Sequence, residues 1–328
     1  MMQVFRSLSE IPANYGPTVI AIGNFDGVHC GHRWIIAHAR DRARTLQAKC
    51  IAVTFDPHPV RVLRPEIAPR LITPLQERLH LLAETGLDAT VVLPFTEEFS
   101  HMPAEAFARD VLHEGLRAVE VHEGDTFRFG YRAQAGIIEL TELGHQLGFT
   151  VAAHHMRTVR GFSVSSSQLR ERISAGDMTT ARALLGRSFS IRSTQARGRG
   201  IGTRLTVPTI NLAAYDELLP ANGVYITRLT VGEGKDAATF NSVTNAGNRP
   251  TFGEDSFAVE THLLDFRPID LTSDTPLELT FLRRIRAEKQ FPSPEALKAQ
   301  ILRDIASALR YFHLMKTLTT PQPHRHDS

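Results

Sequence analysis

Two histidines, His29 and His32, lie in the glycine-rich segment Gly23–His32, which follows a short apolar run. The run Val19–Ile22 is typical of a buried strand, and Arg33–Leu46, rich in Ala and long straight side chains, predicts a helix. A helix N-terminus presents unpaired backbone N–H groups and the positive end of the helix dipole. The segment therefore predicts a polyphosphate site in which two imidazoles supply directed hydrogen bonds.

The residue types in this segment leave two chemistries open. Gly23, Gly27 and Gly31 permit the close backbone approach that a phosphate cradle requires. The order His29-Cys30-Gly31-His32 also suits half of a zinc site, which needs two further ligands. The only other cysteine, Cys50, falls in an apolar strand-like run, so the phosphate interpretation is favoured.

The bulk composition is that of an ordinary globular protein. The chain has 328 residues, 42% of them hydrophobic and 22% charged, with a formal net charge of +2 and no long basic run, so neither nucleic acid nor an anionic membrane is expected as a partner. Met1–Pro17 lacks the apolar core of a secretion signal, and two cysteines without a framework pattern fit a reducing compartment. These features predict a cytoplasmic protein and do not indicate an oligomeric state.

Short apolar runs alternate with helical patterns from residue 19 to about residue 185. This alternation predicts a doubly wound parallel sheet. The predicted strands are Val19–Ile22, Cys50–Phe55, Ala89–Leu93, Ala118–Val121 and Thr150–Ala153, and the later helices are Pro74–Glu84, Pro103–His113 and Ile137–Leu147.

Capping signals mark two helix starts. Thr73 precedes Pro74, with Gln76 at the third helical position, and Ser165 stands three residues before Gln168. Gly176 is placed where the second of these helices should stop.

The residue pattern of the chain changes after Leu185. Closely spaced glycines precede Thr- and Val-rich segments with predicted turns at Asn222–Gly223 and Gly232–Gly234, which is typical of antiparallel β structure. A helical pattern over Pro294–Met315 is expected to pack on the barrel through Leu297, Ile301, Ile305 and Leu309. We predict a first domain over 1–186, a second over 187–316 and a disordered tail over 317–328.

Further segments carry groups suited to anions and aromatic ligands. A serine cluster at a helix start, followed by Arg170, can present several donors to one anion, although a plain cap with a surface arginine is the alternative. Phe55–Pro59 follows the second predicted strand, at the sheet edge where such folds bind ligands. Phe127–Gly130 offers aromatic faces and a cation, or ordinary core packing.

Five segments resemble, in their order along the chain, the motifs of the bacterial bifunctional riboflavin kinase and FAD synthetase family. They are Gly23–His29, Phe127–Gly130, Val164–Arg170, Pro208–Asn211 and Val259–Phe266. The resemblance implies an N-terminal Rossmann-like nucleotidyltransferase domain with a doubly wound parallel sheet. It also implies a C-terminal antiparallel β-barrel riboflavin kinase domain with a closing helix. The implied reactions use ATP and Mg²⁺ to convert riboflavin to FMN, and FMN to FAD.

The same resemblance implies roles for individual residues. Catalytic roles fall on His29, His32, Arg170 and Glu260. Nucleotide contacts fall on Gly23, Asn24, Phe25, Asp26, Gly27, Gly31, Ser165, Ser166, Gly198, Gly202, Thr209 and Asn211, the last two also holding Mg²⁺. Flavin contacts fall on Phe55, Asp56, Pro57, His58, Phe127, Arg128 and Arg286.

The chain departs from the family pattern at two positions. Thr126 replaces the usual Asp or Asn before Phe127. Thr206 occupies one of the two positions at which the family usually has a Gly-aromatic pair before Pro208. These departures keep open a flavin carrier that has lost catalysis. Another alternative is a nucleotidyltransferase with a different acceptor, such as a pantetheine phosphate or nicotinate mononucleotide. Without the resemblance, Pro208–Asn211 would be interpreted as a turn and Glu260 as a solvated strand residue.

Overall fold

The computed structural model describes residues 2–196, 209–248, 257–267, 271–272 and 274–319. The chain divides into two compact units. The first comprises Met1–Arg170 and Leu184–Gly186, and the second comprises Glu171–Ala183 and Arg187–Ser328. Within the described segments, no helix has the length and apolar character needed to cross a bilayer.

The first unit is built on a six-stranded parallel sheet of order β1-β4-β3-β2-β5-β6. Every residue of the central strand β2 is buried, as expected where helices cover both faces of a parallel sheet. The predicted doubly wound sheet is confirmed, and the strand that the sequence missed, β1, is only three residues long. The strands are β1 Gln3–Phe5, β2 Thr18–Ile22, β3 Lys49–Asp56, β4 Ala89–Pro94, β5 Ala118–Gly124 and β6 Thr150–His154.

The order of the strands determines where a ligand site can form. The chain moves from β2 outward through β3 and β4, then returns to the other side of β2 with β5 and β6. The carboxyl ends of β2 and β5 therefore flank the point at which the strand order reverses, which is the usual ligand crevice of open α/β sheets.

Helices and one small hairpin complete the first unit. The predicted α-helix Pro103–His113 is wrong in type, because a short α-helical turn continues as the wider π-type helix Phe107–Gly115 while still burying Phe107 and Val111. The hairpin consists of β7 Thr158–Val159 and β8 Phe162–Ser163. The helices of this part of the chain are α1 Cys30–Leu46, α2 Pro59–Leu63, α3 Leu75–Ala83, α4 Glu97–Ser100, α5 Ala104–Ala106, α6 Ile137–Leu147, α7 Ser166–Ser174 and α8 Met178–Leu185, and the end of α7 and most of α8 belong to the second unit.

The ends of α7 agree with the sequence signals. The backbone N–H of Gln168 donates to the Ser165 hydroxyl at 3.2 Å, and Gly176 adopts φ +76° just beyond the helix. The segment Glu171–Ala183 groups with the second unit, although the predicted first domain includes it. Arg284 accounts for this difference, because its Nη1 donates to the carbonyl of Ala175 at 3.3 Å.

The second unit is a six-stranded antiparallel sheet of order β10-β13-β12-β11-β14-β9. Its two edges meet, since Gln195 bridges to Leu212 and the N–H of Ala196 donates to the Asn211 carbonyl at 2.8 Å. This closure confirms the predicted barrel. The elements are β9 Phe189–Ser193, β10 Thr209–Asn211, β11 Gly223–Val231, β12 Ala238–Asn248, β13 Phe257–Leu263, β14 Leu277–Ala287 and α9 Pro294–Thr319.

The turn predicted at Asn222–Gly223 is wrong, because Gly223 is the first residue of β11. Gly223 lies between Ala246 and Ala287 in the strand register. A Cβ at Gly223 would stand 2.4 Å from the carbonyl oxygen of Arg286. The glycine therefore permits close approach of two strands rather than a tight turn.

The closing helix packs through a face that shares only Ile305 with the predicted one. Ala308 and Phe312 contact the barrel strands, with Ile305 and Tyr311 beside them. Leu297, Ile301 and Leu309 are 42%, 42% and 47% exposed. The buried stripe contains Asp304, an acid that hydrophobic periodicity assigns to solvent. The helix also continues to Thr319, so the tail does not begin at residue 317, and residues 320–328 lie outside the described segments.

Candidate active sites

The loop Gly23–His29, which we call the β2–α1 loop, brings the two predicted histidines into contact. His29 is the N-cap of α1, and its Nδ1 accepts from the backbone N–H of His32 at 3.2 Å. The two imidazole rings stack with centroids 3.5 Å apart and planes 14° apart. A Cβ at Gly31 would lie 3.2 Å from the His29 ring, so this glycine makes room for the stack.

The β2–α1 loop holds two non-glycine residues in the left-handed region. Phe25 has φ +47° and Val28 has φ +37°, on either side of Gly27 at φ +90°. A β-branched residue such as Val28 rarely adopts this conformation, which costs about 1–3 kcal/mol and persists only where surrounding contacts impose it. Backbone strain of this kind is typical of binding and catalytic loops.

Asp26 stabilises the loop through buried hydrogen bonds. Its carboxylate is 1% exposed and accepts from the backbone N–H groups of Ile72 and Thr73, each at 2.9 Å. The Thr73 hydroxyl accepts from the N–H of Gly27 at 2.9 Å. The predicted capping role of Thr73 is therefore wrong: α3 begins at Leu75 after Pro74, without a side-chain cap, and Thr73 supports the loop instead.

The serine segment and Arg170 also reach this loop. The Ser166 hydroxyl donates to the carbonyl of Asp26 at 2.8 Å, while the Ser165 hydroxyl caps α7. Arg170 forms an ion pair with the Asp26 carboxylate, and its Nε donates to the carbonyl of Arg70 at 3.2 Å. The structure thus brings together the two sequence segments that the phosphate interpretation requires.

Two imidazoles at this site, those of His32 and His58, have lowered pKa values. Burial, and the charges of His29 and Arg78, lower the pKa of His32 well below its ordinary value of 6.5. Its Nδ1 is buried and has no hydrogen-bond partner among the residues that the structure describes. Burial also lowers the pKa of His58, which caps α2 by accepting from Val60 N–H at 3.3 Å. The charges of Asp26 and Arg170 also affect the pKa of His58. His58, which is predicted to contact flavin, therefore lies near residues that are predicted to bind phosphate.

A phenylalanine cluster lies at the same edge of the sheet. Phe55 packs against Phe95 and Phe99, with ring centroids 5.8 and 6.1 Å apart, and Phe127 stacks on Phe129 at 5.5 Å. Phe107 joins the two groups through contacts with Phe99 and Phe129. Phe95 and Phe99, which are partly exposed, were missed because isolated phenylalanines after a strand carry no distinctive spacing.

The remaining predicted flavin contacts of the first unit lie on this rim. Asp56 ends β3 and lies 3.7 Å from Arg78 Nη2, while Pro57 is exposed. Arg128 is exposed, and its Nε donates to the carbonyl of Ala133 at 3.1 Å, within its own loop. The cation and the aromatic rings therefore stand in one segment, as the sequence predicts.

In the barrel, the strand register aligns the predicted kinase residues. Asn211 lies directly opposite Glu260, and Thr209 lies opposite His262. Because side chains alternate along a strand, these four residues share one face of the β10–β13 pair. His262 was not among the predicted site residues, and burial lowers its pKa.

The opposite face of these strands is structural. Thr227 contacts Ser242 at 2.8 Å and Thr244 at 2.7 Å, and Thr244 contacts Thr261 at 2.9 Å. All four side chains are fully buried. The hydroxyls satisfy one another inside the barrel, which leaves the Glu260 face for ligands.

Arg286, predicted to contact flavin, is engaged by the closing helix. Its Nε donates to Asp304 Oδ2 at 3.0 Å, and its guanidinium lies over the ring of Phe291 at 5.6 Å. These contacts tie β14 to α9. Gly198, Gly202 and Thr206 lie outside the described residues.

Comparison with known proteins decides the family. The family model for FAD synthetase matches residues 11–168, and the model for riboflavin kinase matches residues 185–312. A bifunctional riboflavin kinase/FMN adenylyltransferase of Pseudomonas fluorescens is 34% identical over 99% of this chain and 100% of its own length. The chain belongs to the bifunctional riboflavin kinase/FMN adenylyltransferase family. The Escherichia coli K12 member is 31% identical over 96% of this chain and 99% of its own length.

A solved structure supports the fold of this family member. The crystal structure titled as a macrolide-efflux protein from Streptococcus pneumoniae has a TM-score of 0.81. It is 23% identical and covers 92% of this chain and 97% of its own, so the likeness shows the fold alone. The FAD synthetase match contains β2 through β8, and the riboflavin kinase match contains all six barrel strands.

Proposed function

We propose that this chain phosphorylates riboflavin to FMN in its barrel and adenylylates FMN to FAD in its first unit, using ATP in both steps. Family membership over nearly the full chain supports the pair of activities. The observation that carries the assignment to separate units is the presence of two distinct constellations. One contains the stacked His29–His32 pair at the start of α1, and the other contains the Asn211–Glu260 pair.

In the adenylylation step, a phosphate oxygen of FMN forms a bond to the α-phosphorus of ATP. The bond from that phosphorus to the oxygen bridging to the β-phosphorus breaks, and pyrophosphate leaves. The enzyme's task is to hold two anions together and to stabilise the charge that develops between them. His29 and His32 stand at the positive end of α1, where hydrogen bonds and the helix dipole act on the same phosphates.

Arg170 and the serines of α7 fit the leaving pyrophosphate. Ser165 caps a nine-residue helix that begins at Ser166, and Arg170 is the fifth residue of that helix. The phenylalanine cluster supplies a broad aromatic surface for the isoalloxazine ring. Phe55, Phe95, Phe99 and Phe127 form the part of that surface that we assign to flavin, and the carboxyl ends of β2 and β3 place it beside the β2–α1 loop.

In the kinase step, the ribityl 5′-oxygen attacks the γ-phosphorus, the bond from that phosphorus to the β–γ bridging oxygen breaks, and ADP leaves. Glu260 accepts the hydroxyl proton. A loose phosphoryl-transfer transition state depends more on positioning than on the strength of the base. In the strand register, Glu260 lies opposite Asn211 and two residues along the strand from the Thr209–His262 pair, so a hydroxyl held there faces both the base and the phosphate-binding residues.

The donor set of the barrel suits Mg²⁺. Thr209 and Asn211 offer neutral oxygen atoms on one strand face, and Mg²⁺ prefers oxygen ligands that include substrate phosphates and water. Among the described residues, no cluster of three or more His, Cys, Asp or Glu forms a complete protein cage. When bound, the ion neutralises charge on the transferring phosphate, and the two side chains orient it.

Incubation of the purified protein with ATP, Mg²⁺ and either riboflavin or FMN, followed by chromatography of the flavins, tests the proposal. FMN and then FAD should form from riboflavin, and FAD alone from FMN. A protein that binds flavin without converting it would be the carrier, and one that consumes ATP only with another phosphorylated acceptor would be a different nucleotidyltransferase. Either result would contradict the proposal.

A cytoplasmic location is part of the same proposal. The two cysteines, Cys30 and Cys50, both lie in described segments and are not joined by a disulfide. This state fits a reducing compartment. ATP, riboflavin and FMN are the partners that we assign to the chain.

A further inference from the structure

Arg78, on α3, is a charged residue of the first unit that no sequence motif identified. It is 0% exposed and is among the largest fully buried side chains of the protein. A guanidinium is rarely buried so completely unless its contacts require that position. Its surroundings therefore indicate what the charge does.

The guanidinium joins the ends of two neighbouring strands. Nη1 donates to the carbonyl of Asn24 at 2.7 Å, to the Thr54 hydroxyl at 3.2 Å and to the carbonyl of Phe55 at 3.4 Å. The Thr54 hydroxyl also donates to the Asn24 carbonyl at 3.2 Å. Asn24 is the second residue of the β2–α1 loop, and Phe55 lies at the end of β3 in the phenylalanine cluster. One nitrogen atom thus connects the predicted nucleotide loop with the predicted flavin surface.

The rest of the guanidinium is incompletely matched. Within the described part of the chain, Nε and Nη2 are buried without a hydrogen-bond partner, and the Asp56 carboxylate lies 3.7 Å from Nη2. Burial lowers the pKa of Arg78, and the negative charges of Asp26 and Asp56 partly offset this decrease. Burying a cation with unsatisfied donors opposes folding, and a polyphosphate bound on the nearby loop would offset that cost.

We propose that Arg78 is a positioning residue for adenylyl transfer, which fixes the β2–α1 loop against the end of β3 and places a buried positive charge behind the triphosphate site. The inference rests on the proposed function of the first unit. Arg78 acts through the Asn24 and Phe55 carbonyls on the loop that carries His29 and His32, and is not itself in contact with solvent. Its charge also contributes to the low proton affinity of His32.

Two substitutions separate the clamp from the charge. Arg78→Lys keeps the charge but cannot reach three acceptors, so we expect kcat/KM for ATP in FAD formation to fall about tenfold, with its pH dependence unchanged. Arg78→Met removes both functions, so we expect a loss on the order of a hundredfold. The pH below which kcat/KM for ATP rises should also move upward, because His32 then takes up a proton more readily.

Riboflavin kinase activity of the same chain serves as the internal control for folding. Arg40→Met is the matched variant, since Arg40 also donates to a backbone carbonyl, that of Thr85, within the first unit. We expect it to keep both activities. Wild-type FAD formation in Arg78→Met, or a wild-type value for Arg78→Lys, would overturn the clamp. An unshifted pH dependence in Arg78→Met would overturn the electrostatic part. If the Met variant fails to fold, a shifted pH dependence in Arg78→Lys, which keeps the charge, would overturn it instead. Absence of FAD formation in the unmodified protein would instead refute the proposed function.

Discussion

Arg170 and Asp26 form an ion pair that joins α7 to the β2–α1 loop, across 144 positions of the chain. Asp26 is almost completely buried, and the carboxylate also accepts from the backbone of Ile72 and Thr73. The residue that the sequence assigned to nucleotide binding therefore shapes the loop and orients the arginine. The ion pair and these hydrogen bonds therefore hold the β2–α1 loop, α7 and the segment before α3 together.

The Asp26 carboxylate should be essential to this assembly. In Asp26→Asn, Arg170 loses its anionic partner and an amide N–H group faces backbone donors, so we expect the first unit to lose about 3–5 kcal/mol of stability. FAD formation should fall more than tenfold while FMN formation continues. Thermal unfolding and both activities measure this. Asp41→Asn is the control, because Asp41 and its partner Arg44 are exposed, and it should change neither quantity.

Binding of ATP should be coupled to proton uptake. The pKa of free His32 lies well below 6.5, so the ring is neutral at pH 7, and a triphosphate beside it favours the protonated form. The affinity for ATP should therefore increase as the pH falls from 8 toward 6, by at most about tenfold per pH unit. Titration calorimetry in buffers of different ionisation enthalpy measures the protons taken up. Equal apparent enthalpies in all buffers, with His32→Asn behaving identically, would contradict this prediction.

Glu123 should destabilise the protein at high pH. Burial raises its pKa well above 4.5, and none of the described residues forms a hydrogen bond with its Oε1. Above pH 4.5 the unfolded chain loses this proton while the folded state retains it, so stability falls as the pH rises toward the folded pKa. Glu123→Gln cannot ionise, and its melting temperature should exceed that of the wild type by more at pH 8 than at pH 5.

Glu120 provides a control of opposite sign for that experiment. Hydrogen bonds from Arg42 and His122 lower its pKa, so its contribution is present at neutral pH and is lost as the pH falls below 4.5. Glu120→Gln should therefore be less stable than the wild type at pH 8, with the difference shrinking in acid. If Glu123→Gln gave the same difference at every pH, the buried carboxyl would not carry the effect.

Asn211 should set the Mg²⁺ requirement of the kinase step alone. Asn211→Ala removes one of two neutral oxygen donors on the β10 face, so the Mg²⁺ concentration for half-maximal FMN formation should rise several-fold. The Mg²⁺ dependence of FAD formation from FMN should be unaltered. Asn241→Ala, in the same barrel and in contact with Arg228, is the matched control. An unchanged requirement in Asn211→Ala would place the ion elsewhere.

Much of the fold could be predicted from local patterns. The five predicted parallel strands are all present. Four of them are short runs of mostly buried residues between helical segments, and β6, at the edge of the sheet, is only partly buried. The start of α7 at Ser165 and its end near Gly176 follow from capping chemistry, which acts within a few residues. The antiparallel β structure of the second unit was predicted from its Thr- and Val-rich segments, and the family resemblance implied that it forms a barrel.

The parts that sequence could not give depend on contacts between distant segments. Thr73 has the spacing of a helix cap, yet its hydroxyl serves Gly27, which is 46 positions away. In the sequence, Arg78 is only a polar position on an amphipathic helix. In the folded protein, the chain at the ends of β2 and β3 encloses it. The face of α9 was misjudged because Asp304, paired with Arg286, belongs to the buried stripe. Each exception involves a polar group satisfied by tertiary structure, which hydrophobic periodicity does not detect.

The central claim is that two separate sites divide the two reactions. Parallel assays of His29→Ala and Glu260→Gln, each supplied with ATP and Mg²⁺ and either riboflavin or FMN, test it most directly. We expect His29→Ala to form FMN at the wild-type rate but no FAD, and Glu260→Gln to form FAD from FMN but no FMN from riboflavin. Loss of both reactions in either folded variant would contradict the division between the β2–α1 loop and the barrel.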